Sequence, residues 1–328
     1  MAVIGGTQVN IGLGIEATAG TEVAATLFPQ WTDFSFQAVS EKSMFTSVRG
    51  KRIESSNSMI RRRYAQGQIG VVPNVINAPY FFGLALGSVS SQADTPVSGT
   101  DTHTITVQNA NASMKTATVV VEQGGNVTER YANCVVNSLT MECSDDYAKM
   151  TAEMFGDFPD TSTLTESFAQ ETEFAYHQMT AKFGTSLSNA ASQGATPLKS
   201  FNLTINNNVQ LDEAFLSGSN QPAAGGFFAG RLQISGSYSL HFTNTTELDK
   251  YKANTKNALI VAFTGAIITG STVESITINL GKLVLTSAQK EFNVDGIVVM
   301  NQEFSVEFDA TDNEISVVVV NDVDGAAY

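Results

Sequence analysis

The sequence predicts a mainly β chain organised as two similar halves, each with one α-helix beside its strands. Three observations predict it. Val and Thr recur along the chain while Pro occupies only seven of 328 positions. Apolar and polar residues alternate with period two in one stretch after another. Only two segments have the composition and the ends of a helix.

In chain order, Phe34-Ser35-Phe36 opens a strand over 34–39. A polar segment at 45–58 predicts a loop, and a strand follows at 64–72. Residues 78–86 read as the first helix. Asn77 can cap it, Pro79 is tolerated in the first turn, where its missing N–H would be unpaired anyway, and Gly87 stops it. Strands are expected at 117–123 and across 135–155, where Lys149, Met150, Thr151, Ala152, Glu153 and Met154 alternate. Residues 157–170 are rich in Asp, Ser and Thr, lack apolar periodicity, and form the joint. The same order then recurs: strand 201–207, loop 213–227, strand 231–240 and helix 247–257 behind Thr246, whose spacing to Asp249 fits a capping box. Strands at 275–285 and 296–308 complete it. The purest alternation is Glu303-Phe304-Ser305-Val306-Glu307-Phe308-Asp309, polar on one face and apolar on the other. The repeat is one of pattern, not of identical residues, and sets two expected domains. These are 1–165, with an N-terminal arm and a long basic loop, and 166–328.

At 42% hydrophobic residues the chain can bury one large core or two ordinary ones. Its charged fraction, 15%, is low, and Ser, Thr, Asn, Gln and Gly take the place of charge. A surface of that kind suits extended protein contacts better than free solvation. The net charge of -14 excludes a conventional DNA-binding module. The first twenty residues show neither a basic n-region nor an apolar h-region, so synthesis and use in a cytoplasm are expected. The longest apolar runs, 259–263 and 317–320, fall far short of the ~20 residues of a membrane span, so no membrane is expected. Cys134 and Cys143 fall nine positions apart on one strand or hairpin, which predicts two small core residues and no disulfide.

No constellation for chemistry emerges. His103, His177 and His241 are scattered and lack the paired spacing of a zinc site. Gly5-Gly6 and Gly12-x-Gly14 lack the strand-to-helix context and the Lys of a phosphate loop, and predict flexible points in an N-terminal arm. A Ser nucleophile elbow is missing, since Gly218-Ser219 has no second Gly. Asn126-Val127-Thr128 and Asn244-Thr245-Thr246 match glycosylation acceptors, uninformative without a signal peptide. No enzyme, cofactor or metal site is therefore expected.

The residues that carry a resemblance are Ile11-Gly12-Leu13-Gly14-Ile15-Glu16-Ala17-Thr18-Ala19-Gly20-Thr21, then Ala24-Ala25-Thr26-Leu27-Phe28-Pro29. It continues through Phe45-Thr46-Ser47, Gly67-Gln68-Ile69-Gly70, Leu84-Ala85-Leu86-Gly87, Thr102-His103-Thr104 and Tyr131-Ala132-Asn133-Cys134-Val135-Val136-Asn137-Ser138-Leu139. In this order and at this length the chain resembles the tail-tube proteins of long-tailed, siphovirus-like bacteriophages. The resemblance implies two tandem β-sandwich or half-barrel domains, each with a flanking helix. It also implies a non-enzymatic virion protein, assembled in the host cytoplasm into stacked rings of six domains through which DNA passes without specific binding. Two domains per chain favour a ring of three chains with pseudo-sixfold symmetry over a ring of six. Tape-measure, tail-terminator and distal tail proteins are implied partners.

That resemblance gives the charge distribution a meaning. Residues 142–173 hold nine Asp or Glu against one Lys, and 291–328 hold nine against none. Glu142, Glu153, Glu303, Glu307 and Asp309 are the candidates for an electronegative lumen, the competing reading being a solvated outer face. Seven of the eighteen Lys and Arg lie between Lys42 and Arg63. Of these, Arg49, Lys51, Arg52, Arg61, Arg62 and Arg63 are the candidates for contacts between rings, against an ordinary solvated loop or a nucleic-acid patch. The alternative from another class is a β-sandwich carbohydrate-binding or virion decoration protein. It would need exposed aromatic platforms, whereas the sole tryptophan, Trp31, sits beside Pro29 just before a strand, as an anchor would.

Overall fold

Where apolar and polar residues take turns, one side of an extended strand finds a core and the other finds solvent, and that rule shapes most of this chain. The computed structural model describes residues 4–46, 55–93, 99–108, 113–125, 127–169, 172–211, 226–292, 296–309 and 313–323. Its first elements are β1 (Val9–Ile15), β2 (Trp31–Phe34), β3 (Gln37–Thr46), β4 (Ser55–Val71), α1 (Asn77–Leu86), β5 (Gly87–Ala93) and β6 (Asp101–Val107). Then come β7 (Ala117–Gln123), β8 (Val127–Cys143), β9 (Lys149–Gly156), β10 (Asp160–Thr161), β11 (Met179–Gly184), α2 (Leu187–Ser192), β12 (Leu198–Asn206), β13 (Gln210–Leu211) and β14 (Phe227–Phe228). The last are β15 (Gln233–His241), α3 (Thr246–Lys252), β16 (Asn257–Thr269), β17 (Thr272–Glu291), β18 (Val299–Val306) and β19 (Ile315–Asn321).

One antiparallel sheet runs through the molecule in the order β3-β4-β9-β8-β12-β15-β18-β17. At its middle, residues 138–143 of β8 lie opposite 201–206 of β12. The apolar side of this sheet carries Ile69, Leu139, Met141, Ala152, Met154, Phe201, Leu203, Ile205 and Phe304, all buried. Covering it are β1 and β7, laid against the first part of β8, and β11 and β16, laid against the first part of β17. Tyr131 from the covering part of β8 packs edge-on against Phe36, ring centres 5.0 Å apart. Helix α1 is buried along its whole length, so it has no polar stripe. Gly87 ends it in the left-handed conformation at φ 92°, its N–H bonded to the Gly83 carbonyl.

The order of elements repeats together with its irregularities. A 3-10 turn precedes β1 at Gly6–Gln8 and β11 at Tyr176–Gln178. In each, the last Gln side chain accepts a bond from the backbone N–H three residues earlier, Gly5 at 2.9 Å and Ala175 at 2.8 Å. Strand β8 shifts register against β9 between Val136 and Ser138, and β17 against β18 between Leu285 and Ser287. Ser138 therefore faces Glu153, and Ser287 faces Glu303. A Cβ at Gly67 would strike the Ser35 carbonyl oxygen, and one at Gly236 the Asn202 carbonyl oxygen, so β4 and β15 approach their neighbours in the same way.

Several expectations need correction. The polar segment at 45–58 is strand over its described part: β3 extends to Thr46 and β4 begins at Ser55, making a hairpin that projects beyond the paired sheet. Gly12 and Gly14 are not flexible points in an arm but lie within β1. A Cβ at Gly12 would meet Ala25 and one at Gly14 the Ala24 carbonyl, because the segment after β1 folds tightly back over it. Helix α3 ends at Lys252, short of 257, where β16 begins, and Thr246 is its first residue, not its cap. Asn77 likewise lies inside α1. The capping oxygen comes from Asn74, whose Oδ1 accepts the N–H groups of Ile76 (2.9 Å) and Asn77 (2.7 Å). Among the described residues the second half carries two short helices, α2 having no counterpart in the first. Cys134 and Cys143 share β8, free and buried as expected, and burial raises both thiols above the ordinary range.

One buried carboxylate ties the N-terminal segment to the body. Glu16, 6% exposed, accepts the hydroxyls of Thr116 (2.7 Å) and Thr118 (2.9 Å) and the backbone N–H groups of Asn133 (2.9 Å) and Gly20 (2.8 Å). Asn133 adopts φ 54°, a conformation Asn tolerates better than most residues, where its N–H bonds to Glu16. Deleting the carboxylate leaves these donors without their acceptor at a cost of about 3 kcal/mol. Glu16→Ala should lower the unfolding free energy in urea by about that amount at unchanged m-value, and Glu16→Gln, which keeps one acceptor oxygen, by less.

Candidate assembly surface

The side of the long sheet away from its core is mainly polar because its strands alternate, although Phe155, on that side of β9, is stacked on Phe227 of β14 with ring centres 6.2 Å apart. Register determines which side chains meet there. Glu142 lies across from Asn202, Asn202 from Ser237, and Ser237 from Glu303. Gln68 lies across from Glu153, and Glu153 from Ser138. Three of the acidic candidates, Glu142, Glu153 and Glu303, thus share one side of one sheet, with Lys149 opposite Glu142 as a neighbouring cation. Glu142 accepts the Asn202 amide at 3.0 Å. Glu153 accepts Asn137 Nδ2 at 3.0 Å and Ser138 Oγ at 3.2 Å. Glu153 and Glu303 occupy matching places in the repeat, each facing a Ser that follows a register shift.

The other two acidic candidates differ in setting. Glu307 lies just past β18, within 3.0 Å of Lys256 Nζ and 3.5 Å of Lys282 Nζ. The Lys256 hydrogen bond holds its carboxyl below the usual range, and its charge is offset where it stands. Asp309 lies beyond the strand altogether.

Among the basic candidates, Arg49, Lys51 and Arg52 lie outside the described residues. Arg61, Arg62 and Arg63 are on β4, in the projecting hairpin. Arg62 forks onto Glu41 of β3, Nη2 to Oε1 at 2.7 Å and Nε to Oε2 at 3.2 Å, and the Tyr64 hydroxyl donates to the same carboxylate at 3.1 Å. Arg63 lies over the ring of Phe158, 5.1 Å from its centre. Arg62 and Arg63 are therefore engaged by their own chain. Arg61 is exposed at the register shift between Glu41 and Lys42. Near the hairpin's end Met44, Phe45 and Met59 are exposed large apolar residues.

Sequence reasoning missed Glu16 and Glu41. Most of their partners lie far along the chain or on another strand, and only the conflict of a carboxylate beside apolar residues, Ile15-Glu16-Ala17, hinted at the first. Trp31 behaves as the anchor expected of it, its Nε1 donating to the Val9 carbonyl at 2.9 Å. His103 is buried, its ring nitrogens 2.8 Å from Ser91 Oγ and from Asn321 Oδ1. Among the described residues no group of three or more His, Cys, Asp or Glu is arranged to hold a metal ion, and no helix is long and apolar enough to cross a membrane.

The Arg62 fork lowers the Glu41 carboxyl from its ordinary value of 4.5. Its contribution to stability is therefore present above that value and lost as pH falls through the lowered one. In Arg62→Ala the Glu41 midpoint, followed by carboxyl carbon NMR, should move upward toward 4.5.

No curated protein matches the chain. The family model described as phage tail tube protein matches residues 6–310. That span includes the whole long sheet and both covering layers, and the chain belongs to the phage tail tube protein family, structural components of the virion tail.

Proposed function

We propose that three copies of this chain close into a ring, that rings stack into a tube, and that the polar side of the long sheet faces the bore through which DNA is ejected. The observation that carries this reading is the continuity of the sheet across β8 and β12. A ring of six chains with the second half outside would need β12, β15, β18 and β17 to leave the wall. Within the chain they continue the sheet that β3, β4, β9 and β8 begin, which supports a ring of three. Three copies of these eight strands give 24, which at a spacing of about 4.8 Å and a tilt of about 40° enclose a cylinder about 48 Å across at the backbone. Side chains reduce that to a bore of duplex scale. Six copies would double the diameter to about 96 Å, far wider than DNA requires.

In such a ring the matching places of Glu153 and Glu303 alternate around the bore, producing a circle of carboxylates. DNA carries about one charge per 1.7 Å, and a wall of the same sign denies phosphates a place to bind. Glu307, neutralised by two lysines, contributes little to that field. The two halves act as tandem domains of one kind, 1–165 and 166–328, joined in the segment after β10. The projecting hairpin, with its arginines and apolar end, reaches toward the neighbouring ring, joined by Arg49, Lys51 and Arg52 of the connecting segment. Tape-measure, tail-terminator and distal tail proteins meet the tube at its core and its ends. Against a carbohydrate-binding role, the sole tryptophan, Trp31, is tied to the backbone of β1 and is not available as a platform.

Cryo-electron microscopy of the assembled protein should show stacked rings of three chains. Rings of six would overturn the stoichiometry, and a monomer that stays dispersed at high concentration would overturn the tube. Charge reversal by Glu153→Lys with Glu303→Lys should leave tubes intact but make them retain short duplex DNA at about 50 mM salt and release it as salt rises. Lysine tubes indifferent to DNA would show that this side of the sheet does not face the bore.

A further inference from the structure

The long sheet ends in two open edges. Strand β3 pairs with β4 on one side, and among the described residues no strand lies on its other side. Strand β17 pairs over residues 283–291 with β18, while β16, which flanks its other side, stops at Leu283. Among the described residues, 284–291 thus present a second open edge. Inside the chain the same situation is already resolved. Strand β8 pairs with β9 over 135–142, β7 flanks its other side up to Cys134, and the edge beyond that point is filled by β12.

Resting on the ring reading, we propose that β17 of one copy pairs antiparallel with the segment 34–39 of the next, in the register that β8 and β12 use within the chain. The repeat supplies that register without adjustment. Ser138 and Ser287 both follow the register shift and face Glu153 and Glu303, so Glu142 corresponds to Glu291 and Cys143 to Phe292. Asn202 lies across from Ser237, and Gly236 across from Leu203. Ser35 donates its N–H to Gln68, and Gly67 crowds Phe36, so Ser35 corresponds to Asn202 and Gln37 to Thr204. The seam then reads Ser287 opposite Val39, Ala288 opposite Ala38, Gln289 opposite Gln37, Lys290 opposite Phe36, Glu291 opposite Ser35 and Phe292 opposite Phe34.

The chemistry of the internal seam recurs in this alignment. Within the chain Glu142 accepts the Asn202 side chain, and in the seam Glu291 faces the Ser35 hydroxyl. Within the chain Thr140 lies across from Thr204, and in the seam Gln289 faces Gln37, another pair of side chains able to bond to each other. Within the chain Cys143 and Phe201 are buried against one another's strand, at 2% and 1% exposure. In the seam Phe292, 76% exposed in the single subunit, comes to Phe34, which already rests against Trp31 with ring centres 6.1 Å apart. The Tyr131 hydroxyl, which meets the Ala38 backbone in the single subunit, has to yield that position to Ala288.

Engineered disulfides test the register directly. Asn207 donates to the Asn137 carbonyl, directly across at 2.8 Å, so 204 with 140 is a pair without mutual backbone bonds, the kind whose side chains approach most closely. Gln37→Cys with Gln289→Cys is its equivalent, with both sites exposed. Under mild oxidation of assembled tubes this variant should run as disulfide-linked dimers and trimers on a non-reducing gel. Gln37→Cys with Lys290→Cys, shifted by one residue and so on opposite sides, should stay monomeric. As an independent measure, Phe292→Asp should abolish assembly while leaving the melting temperature of the subunit unchanged. Threefold rings that cross-link at the shifted pair or at neither would overturn the register and leave the ring standing. Protein that neither assembles nor cross-links would overturn ring and seam together.

Discussion

The hydrogen-bonded ladder between β8 and β12 is the constraint on which the rest of the molecule depends. Without it the chain would be two separate sheets, each with two open edges. With it, four open edges become two, and Glu142, Glu153 and Glu303 are placed on a common side. A ladder of this kind transmits register: a slip of one residue would turn Glu142 and the whole outward row of β12 into the core. One buried side chain opposes such a slip. Asn207 donates its side-chain amide to the carbonyls of Ala85 and Val136 at 2.9 and 3.0 Å, and its backbone N–H to Asn137. The seam is thereby pinned at one end by a buried side chain.

Burial explains why one side of the sheet is fixed and the other free to carry function. The apolar side is held by α1, by β1 with β7, and by β11 with β16, and truncating a buried leucine or phenylalanine there costs about 2–5 kcal/mol. The polar side has no such cost attached. Its carboxylates are constrained only by hydrogen bonds from Asn and Ser beside them. Amide and hydroxyl donors steady Glu142 and Glu153 without cancelling their charge, as lysines do for Glu307. The difference is visible within a few residues, since Glu303 of β18 lies in the open row and Glu307, just past the strand's end, is paired.

How much of this was legible in the sequence depended on whether a residue's environment is local. Phe304 and Glu303 alternate because one points into a core and one away, and that is readable from β18 alone. Gly87 ends α1 through its own φ, so the helix boundary was readable too. The basic stretch was misread as loop because alternation reports a buried face, and the outer part of the β3–β4 hairpin has none: it projects past the core, so nothing demanded apolar residues at every second position. Asn74 took the capping role assigned to Asn77 because an Asx turn before a helix and a cap on it have the same composition. Glu16 draws its hydroxyl partners from Thr116 and Thr118, about a hundred positions away, and no periodicity could bring them together. The pairing of Arg62 with Glu41 needed the register between β3 and β4, which no local signal in either strand supplies.

Unpaired strand edges are ordinarily a hazard, and natural sheets blunt them with charge, bulges and short exposed lengths. All three are present here. Strand β3 carries Glu41 and Lys42 at a register shift just beyond residue 39, and β17 offers only residues 284–291 before it ends. These features do not prevent pairing over six residues, but they stop it from running on. A net charge of -14 per chain adds a repulsion that any two copies must overcome. Only a contact that satisfies a full set of backbone groups and covers Phe292 at the same time can outweigh it, and a mis-registered contact does neither. Selectivity for one arrangement thus comes from the same alternation that folds the subunit: the pattern that sorts residues between core and solvent also sorts correct neighbours from incorrect ones.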